Sequence, residues 1–513
     1  MYKLLLCWRY LLTRFIALAS VISVMLGVAT MIVVNAVMLG FTSEMQDRIQ
    51  GILSDVIFES RDLNKGFPHY EWHRDRIFEQ AGDLIEELTP VAYTPGMLTY
   101  RIGGFGDPVS FPVDIVGIDV LTQSKVSKLA SYLQHPENRR LLSFDLREGG
   151  YDVHVDGGTD HIRPAMEYAG WGWRHRWAAR TKFQQTQFAV PQHSTETEGT
   201  PHDPFLEFHN EAAVFDPAKE QHAGVIVGIG ASVMNRESTI DPETGKKVVI
   251  DDLALLPGDD VRLSFTTADM QLQLRSDSFT VIDLYESKMA EYDRKLVFVP
   301  IEKLQRLRGM VDAESGSLTT TRILIKAKPG VEIDLVRDRL LEFFPYQIYR
   351  ISTWRDDQDQ LLNAVATELA MLNVLLFLIF AVAGFGILAI FYMIVVEKQK
   401  DIGILKALGA SSGGIMQIFL YYSLSLGTLG SALGLALGLL FVEYIKEIAA
   451  VLSYILKRDI FSPEIYSLYE IPTIVDVPTV IGIIVGAILI AAAAGVLPAL
   501  RAARTHPVET LRG

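Results

Sequence analysis

Histidine is the side chain with chemical potential that this sequence concentrates most. Seven of its eleven histidines (His154, His161, His175, His193, His202, His209 and His222) lie in or beside a stretch from about Asp145 to Gln221 that is also rich in Gly, Trp and Pro. Grouped imidazoles could hold a divalent metal, but no pair has the close spacing of an HExxH helix or a zinc finger. They read instead as solvated side chains of a polar, loop-rich insertion without a clear period. Trp171, Trp173 and Trp177 read as the core of a small subdomain of that insertion. Cys7 is the single cysteine, which excludes an intramolecular disulfide and a thiolate cluster. No pair of glycines at Walker A spacing runs into Lys-Ser or Lys-Thr. Gly228-Ile229-Gly230 lacks the third glycine of a dinucleotide loop and sits in a strand-like run. The sequence thus reads as a non-catalytic chain with no metal and no cofactor of its own.

One short segment has the chemistry of docking rather than of bond making. Glu397-Lys-Gln-Lys-Asp-Ile-Gly-Ile-Leu-Lys-Ala-Leu-Gly-Ala410 places Ile402, Leu405 and Leu408 near one side of a helix, with Lys398, Asp401 and Lys406 largely elsewhere. Such a helix could set its apolar ridge into a groove on a partner protein, or rest on lipid. Periodicity leaves both open. Gly409 stands where a helix ends, at the residue after the C-cap.

Long apolar runs must position that segment. Hydrophobic residues make up 49% of the chain and the mean hydropathy is +0.23, yet 21% of residues are charged. That mixture predicts membrane spans joined to a sizeable polar domain, and the net charge of −14 argues against nucleic acid as partner. A bilayer needs about 20 apolar residues in a helix. Phe15 to Leu39, Leu369 to Val396, Ile415 to Val442 and Val477 to Leu500 qualify, each free of charge. The first is too long for a signal-peptide core and reads as an uncleaved anchor. Lys and Arg gather in residues 1–14, in the link 397–414 and in the tail 501–513, whereas 443–476 is net acidic, so termini and link are expected in the cytoplasm. Residues 40–368 are then expected outside.

That outer segment mixes strand-like and helix-like patterns, so the expected fold is four membrane-spanning α-helices plus an α+β domain inserted between spans one and two. Expected strands are Met97 to Ile102, Pro112 to Ile118, Ala223 to Ile229, Asp260 to Phe265, Phe279 to Leu284, Lys295 to Pro300 and Thr319 to Ala327. Expected helices are Tyr70 to Leu88, Pro300 to Met310 and Val331 to Phe344. Phe41, Met45, Ile49 and Leu53 recur every four residues, so span one is expected to continue outward as a stalk, with Trp354 to Glu368 leading back into span two. Gly427, Gly430, Gly434 and Gly438 form a small-xxx-small face on span three, for packing within the chain or in a dimer.

The 397–410 segment resembles the coupling element of FtsX/MacB-type ABC permeases, D/E-I-G-I-L-K/R-A-x-G-A. Leu497-Pro-Ala-Leu-Arg-Ala-Ala-Arg-Thr-His-Pro-Val-Glu-Thr-Leu-Arg512 resembles that family's closing P-A-x-R-A-A-x-x-x-P-x-E-x-L-R, and the layout of spans is similar. Within the superfamily, the run from Val37 to Gly51, the Leu256-Pro-Gly-Asp259 turn and Tyr292-Asp293 ahead of Leu296 to Pro300 are similar to lipoprotein-releasing permeases of the LolC/LolE type. The insertion at about 145–221 departs from that pattern and is expected to be a distal, separately packed excursion. The resemblance implies a cytoplasmic ABC ATPase that binds the ATP, a second permease copy or paralogue, membrane lipid, and lipoprotein cargo with a periplasmic carrier. It implies a bacterial inner-membrane location, with the large domain in the periplasm. It also implies ATPase coupling by Glu397, Lys398, Asp401, Ile402, Gly403, Leu405, Lys406, Leu408 and Gly409. Export of small molecules or peptides, as in MacB-like relatives, and regulation of a cell-wall hydrolase, as in FtsX-like ones, are the alternatives.

Overall fold

An uninterrupted apolar run must satisfy its backbone polar groups internally, which selects long helices. The computed structural model of the chain describes residues 15–62, 64–102, 108–155, 161–188, 215–240, 247–268, 272–312, 315–456 and 471–504. They divide into two units, one of residues up to Asp47 together with those from Asp359 onward, the other of Arg48–Gln358.

In the first unit, four helices among the described residues are long and apolar enough to cross a membrane. They are α1 (Phe15–Leu53), which passes into the second unit, and, numbered in chain order with those below, α6 (Asp359–Glu397), α8 (Ser412–Glu443) and α10 (Val477–Arg504). Val24, Val28, Ile32, Phe391, Leu426 and Ala491 meet in their shared core. Glycine sets how closely they approach. A Cβ on Gly434 would stand 2.7 Å from Cβ of Val28, and one on Gly430 the same distance from Cβ of Val24. Gly438 faces Ala29 and Ile32 in the same way, and Gly427 faces Ala491 of α10. The glycine face therefore packs within the chain, three of its members against α1.

The second unit begins where α1 ends. Ser54 takes a left-handed φ of 73°, and strand β1 (Val56–Ser60) leads into helix α2 (Tyr70–Ala81), β2 (Ile85–Arg101) and β3 (Pro108–Ile118). Then come β4 (His161–Ile162), α3 (Trp171–Phe188), β5 (Ala223–Gly228), β6 (Val233–Ile240), β7 (Lys247–Leu253), β8 (Asp260–Thr266) and β9 (Leu274–Tyr285). The unit closes with β10 (Leu296–Pro300), α4 (Ile301–Arg308), β11 (Arg322–Ala327), α5 (Ile333–Phe343) and β12 (Tyr349–Thr353). The sheet runs β12-β1-β11-β2-β3-β10-β5-β9-β8, and β8 pairs again with β2, closing six of the strands into a barrel. Leu98, Ile115, Val225, Leu263, Phe279 and Val297 belong to one of the three cores flanking the sheet. Strands β4, β7 and β6 form a separate small sheet.

The first and last strands are neighbours: Val56 pairs with Thr353, and the Trp354 amide donates to the Asp55 carbonyl at 3.2 Å. The chain thus enters and leaves this unit at one place. Asp55 fixes it, accepting from the Ala327 amide at 2.9 Å and pairing with Lys326 at 3.0 Å. Thr353 and Asp356 form a capping box on the outgoing turn.

Four expectations change. The helix from Tyr70 stops at Ala81, because Gly82 is followed by a stretch that pairs with β11 from Ile85 onward; pairing in the sheet overrides the helical reading of 82–88. Five strands, β1, β4, β6, β7 and β12, lie outside the expected ones. The described part of the 145–221 insertion is not a separate excursion. Tyr151, Met166 and Ala169 lie in the same core as the strands, and Trp171 opens a helix. Trp173 Nε1 donates to Asp259 Oδ1 at 2.7 Å, and buried Arg174 donates to Asp260 Oδ1 at 2.7 Å and to the Gly258 carbonyl at 3.1 Å. The helix start therefore grips the 256–259 turn, where burial pushes the Asp259 carboxyl up to about 6. His193, His202 and His209 lie outside the described residues.

His161 is buried rather than solvated. Its Nε2 meets Asp251 Oδ2 at 2.7 Å, and buried Arg163 and half-buried Arg236 donate to the same carboxylate. Burial alone would raise the Asp251 pKa, but the hydrogen bonds from His161 and Arg236 hold it well below the usual range. A carboxylate depressed in the fold stabilises above its unfolded value of about 3.9 and loses that contribution as pH falls below it. Asp251→Asn, which removes the carboxylate shared by buried Arg163 and half-buried Arg236, should cost about 3–5 kcal/mol at neutral pH. Its deficit in apparent Tm, measured on the detergent-solubilised chain, should shrink as the pH is lowered from about 4; a deficit independent of pH would contradict this role.

Candidate functional site

Between α6 and α8 lies a nine-residue helix, α7 (Gln399–Ala407), joined to α6 through Lys398. Lys398 Nζ donates to Asp401 Oδ2 at 2.7 Å, an exposed first-turn pair that contributes little. Leu408 is the C-cap and Gly409 follows at φ 98°, a left-handed conformation that costs glycine nothing. Ser411 then caps α8, its side chain accepting from the Gly414 amide at 3.1 Å. A helix, a glycine stop and a serine start thus fit into the link.

The side chains of α7 divide into two sets. Ile402 and Gly403 are buried, and Ile402 packs with Val395 of α6, Ile415 of α8 and Ala502 of α10. Lys406 Nζ donates to the Ala503 carbonyl at 2.6 Å, satisfying an acceptor in the last turn of α10, where helical carbonyls lack partners and a cation is favoured. The opposite face is open: Ile404 is 48%, Leu405 39% and Leu408 81% exposed. The expectation that Ile402, Leu405 and Leu408 share one side is therefore corrected. Ile402 faces the helices, and the outward apolar set is Ile404, Leu405 and Leu408. Ile404 was missed because a ridge drawn at three-residue steps from Ile402 passes over it. Glu397 closes α6, and Asp401 is exposed.

The two sequence segments that stood out for resemblance meet here, since Ile402 and Lys406 touch Ala502 and Ala503 of the tail. Arg501 lies over the Tyr392 ring at 4.6 Å, tying α10 to α6 as well. Residues 505–512 of the tail lie outside the described residues. Among the described residues, no three His, Cys, Asp or Glu side chains are grouped as a metal site.

Residues 373–507 match the family described as FtsX-like permease C-terminal, a stretch that contains the whole link and the described end of α10. The chain is similar to the lipoprotein-releasing system transmembrane protein LolC of Xylella fastidiosa, 28% identical over 46% of this chain and 56% of that protein. It is 26% identical to LolC of Neisseria meningitidis over 56% of this chain and 64% of that protein. It is also 26% identical to the macrolide export ATP-binding/permease protein MacB of Nitrobacter winogradskyi, over 45% of this chain and 33% of that protein. The chain thus spans less than two thirds of the length of each of these relatives.

Lys406→Met should free the end of α7 from α10. Loss of a hydrogen bond from a charged group of about 1.5–3 kcal/mol corresponds to tenfold or faster local opening. Trypsin cleavage after Lys398 and Lys400 in the purified chain should accelerate accordingly, and Lys406→Arg should restore most of the protection. Equal cleavage in all three proteins would contradict the clasp.

Proposed function

We propose, from the premise that this chain is an ABC permease of the FtsX/MacB superfamily, that it is the membrane subunit of a complex whose separate cytoplasmic ATPase drives movement of residues 40–368 on the far side of the membrane. In this reading the chain carries out no bond chemistry, and the ATP is held by the partner. A second copy or a paralogue completes the complex. The observation that carries the proposal is the two-sided character of α7: Ile402 and Lys406 join it to the spanning helices, while Ile404, Leu405 and Leu408 stand outward as an apolar ridge of the kind that fills a groove on a partner protein. A helix held on one side and docked on the other passes on displacement.

The favoured work is release of lipoproteins from the inner membrane, supported by the similarity to LolC proteins. The large domain is then periplasmic, which the placement of Lys and Arg supports. The similarity to MacB supports export of small molecules or peptides as the second reading. Insertion of the ridge into a partner predicts a specific asymmetry between substitutions. Truncation of a docking leucine costs about 2 kcal/mol at a hot spot, so Leu405→Ala with Leu408→Ala should abolish co-purification of the cognate ATPase. Lys398→Gln with Lys400→Gln should leave it near wild-type yield. Equal retention by both pairs would remove α7 as the docking element, and equal loss would mark a helix that only rests on lipid. Mass spectrometry of the wild-type complex should find lipoproteins; a membrane-fusion adaptor in their place would favour the second reading.

A further inference from the structure

The segment after α8 holds an apolar surface that the coupling mechanism does not use. Helix α9 (Ile445–Leu456) starts one residue beyond α8, with the break at Tyr444, whose φ of −99° and ψ of 24° leave the helical range. At 1.5 Å per residue, its 12 residues reach roughly 18 Å, too short to cross a bilayer core of about 30 Å. Its charges, Lys446 and Glu447, fall in the first turn beside Glu443, and Ile448 to Leu456 carry none.

Past the first turn, where Lys446 and Glu447 are exposed, the described side chains of this helix that reach outward are apolar. Tyr444 is 53%, Val451 59%, Leu452 43% and Ile455 66% exposed, whereas Ile445, Ile448 and Ala449 are half-buried. At 100° per residue, Tyr444, Val451, Leu452 and Ile455 fall within one arc of about 100°. In a water-soluble unit such an arc faces the core, so an outward one has a non-aqueous neighbour. The same spacing of three or four residues extends back to exposed Leu437, Leu440 and Phe441 on α8. The apolar surface is thus continuous in register with that of a membrane-crossing helix, and Tyr444 stands at the junction, where amphipathic rings favour the lipid headgroup level.

We infer that α9 is an interfacial helix, seated by Val451, Leu452 and Ile455 in the lipid boundary on the side of the membrane where α8 ends. It requires that α8 and α10 span the membrane, as in the proposed function, but not that an ATPase docks on α7. Its role is to hold the outer end of α8 at a fixed depth, so that displacement along the helices is not dissipated by their sinking or rising in the bilayer.

Nitroxide accessibility separates the three environments open to this arc. In a Cys7→Ser background, the full chain is labelled at Val451→Cys or Ile455→Cys and reconstituted into phosphatidylethanolamine–phosphatidylglycerol vesicles. Two references are added: Leu489→Cys, on the exposed face of α10, for lipid, and exposed Leu121→Cys, in the domain unit, for water. Relaxation by oxygen should exceed that by a water-soluble nickel complex at 451 and 455, matching 489 and reversed relative to 121. Nickel accessibility like that of 121 would show the arc in water and overturn the inference. Protection from both reagents would show a protein occupant, such as a second copy, and would overturn it equally. If 489 itself reads as water, the membrane-spanning reading fails; if 489 reads as lipid and 451 and 455 do not, only the seating of α9 fails.

Discussion

The contact on which the functional reading depends is small. One isoleucine and one lysine of a nine-residue helix, Ile402 and Lys406, hold it to the last turn of α10. An isolated helix of this length is marginal in water, so α7 exists as a rigid element because Ile402 is buried and because Gly409 and Ser411 terminate it and start the next helix. Without that clasp, a partner pressing on Leu405 and Leu408 would deform a loop. With it, such a push would pass to α10, as the proposed function requires.

From α10 the packing continues through side chains too small to yield. Gly427 lies against Ala491, and Gly430, Gly434 and Gly438 lie against Val24, Val28, Ala29 and Ile32 of α1. Close-packed interfaces of this kind shift as units rather than deform. Helix α1 runs unbroken to Leu53, and Ile52 sits in a core with Val91, Ile118 and Leu129 of the domain unit. At its end, Asp55 and the Val56–Thr353 pairing tie the incoming and outgoing chains together. Displacement of either chain therefore bears on one patch of the sheet.

Much of this was legible in sequence because the signals are local. Charge-free runs mark the four long helices, four-residue spacing marks the extension of α1, and the Asp-Ile-Gly-Ile-Leu-Lys run marks α7. Strands β3, β5, β8, β9 and β10 were visible as β-branched or alternating stretches. What escaped depends on partners far along the chain. β1 and β12 are strands because they pair with each other across almost 300 residues, Val56 with Thr353. Residues 82–88 read as helix until their pairing with β11 is known. The His- and Trp-rich stretch looked detachable because nothing local shows that Arg174 ends beside Asp260 and Trp173 beside Asp259. On α7, spacing located the apolar residues but could not say which face the neighbouring helices would take, and Ile402 went inward.

In the proposed mechanism, force applied at α7 reaches the junction where the chain enters and leaves the domain unit. Hydrogen exchange on the complex with its cognate ATPase, with and without a non-hydrolysable ATP analogue, tests it directly. The expected result is a nucleotide-dependent change in residues 397–411 accompanied by one in residues 49–58 and 351–358. A change confined to 397–411, with the β1–β12 junction unaltered, would contradict transmission through the chain.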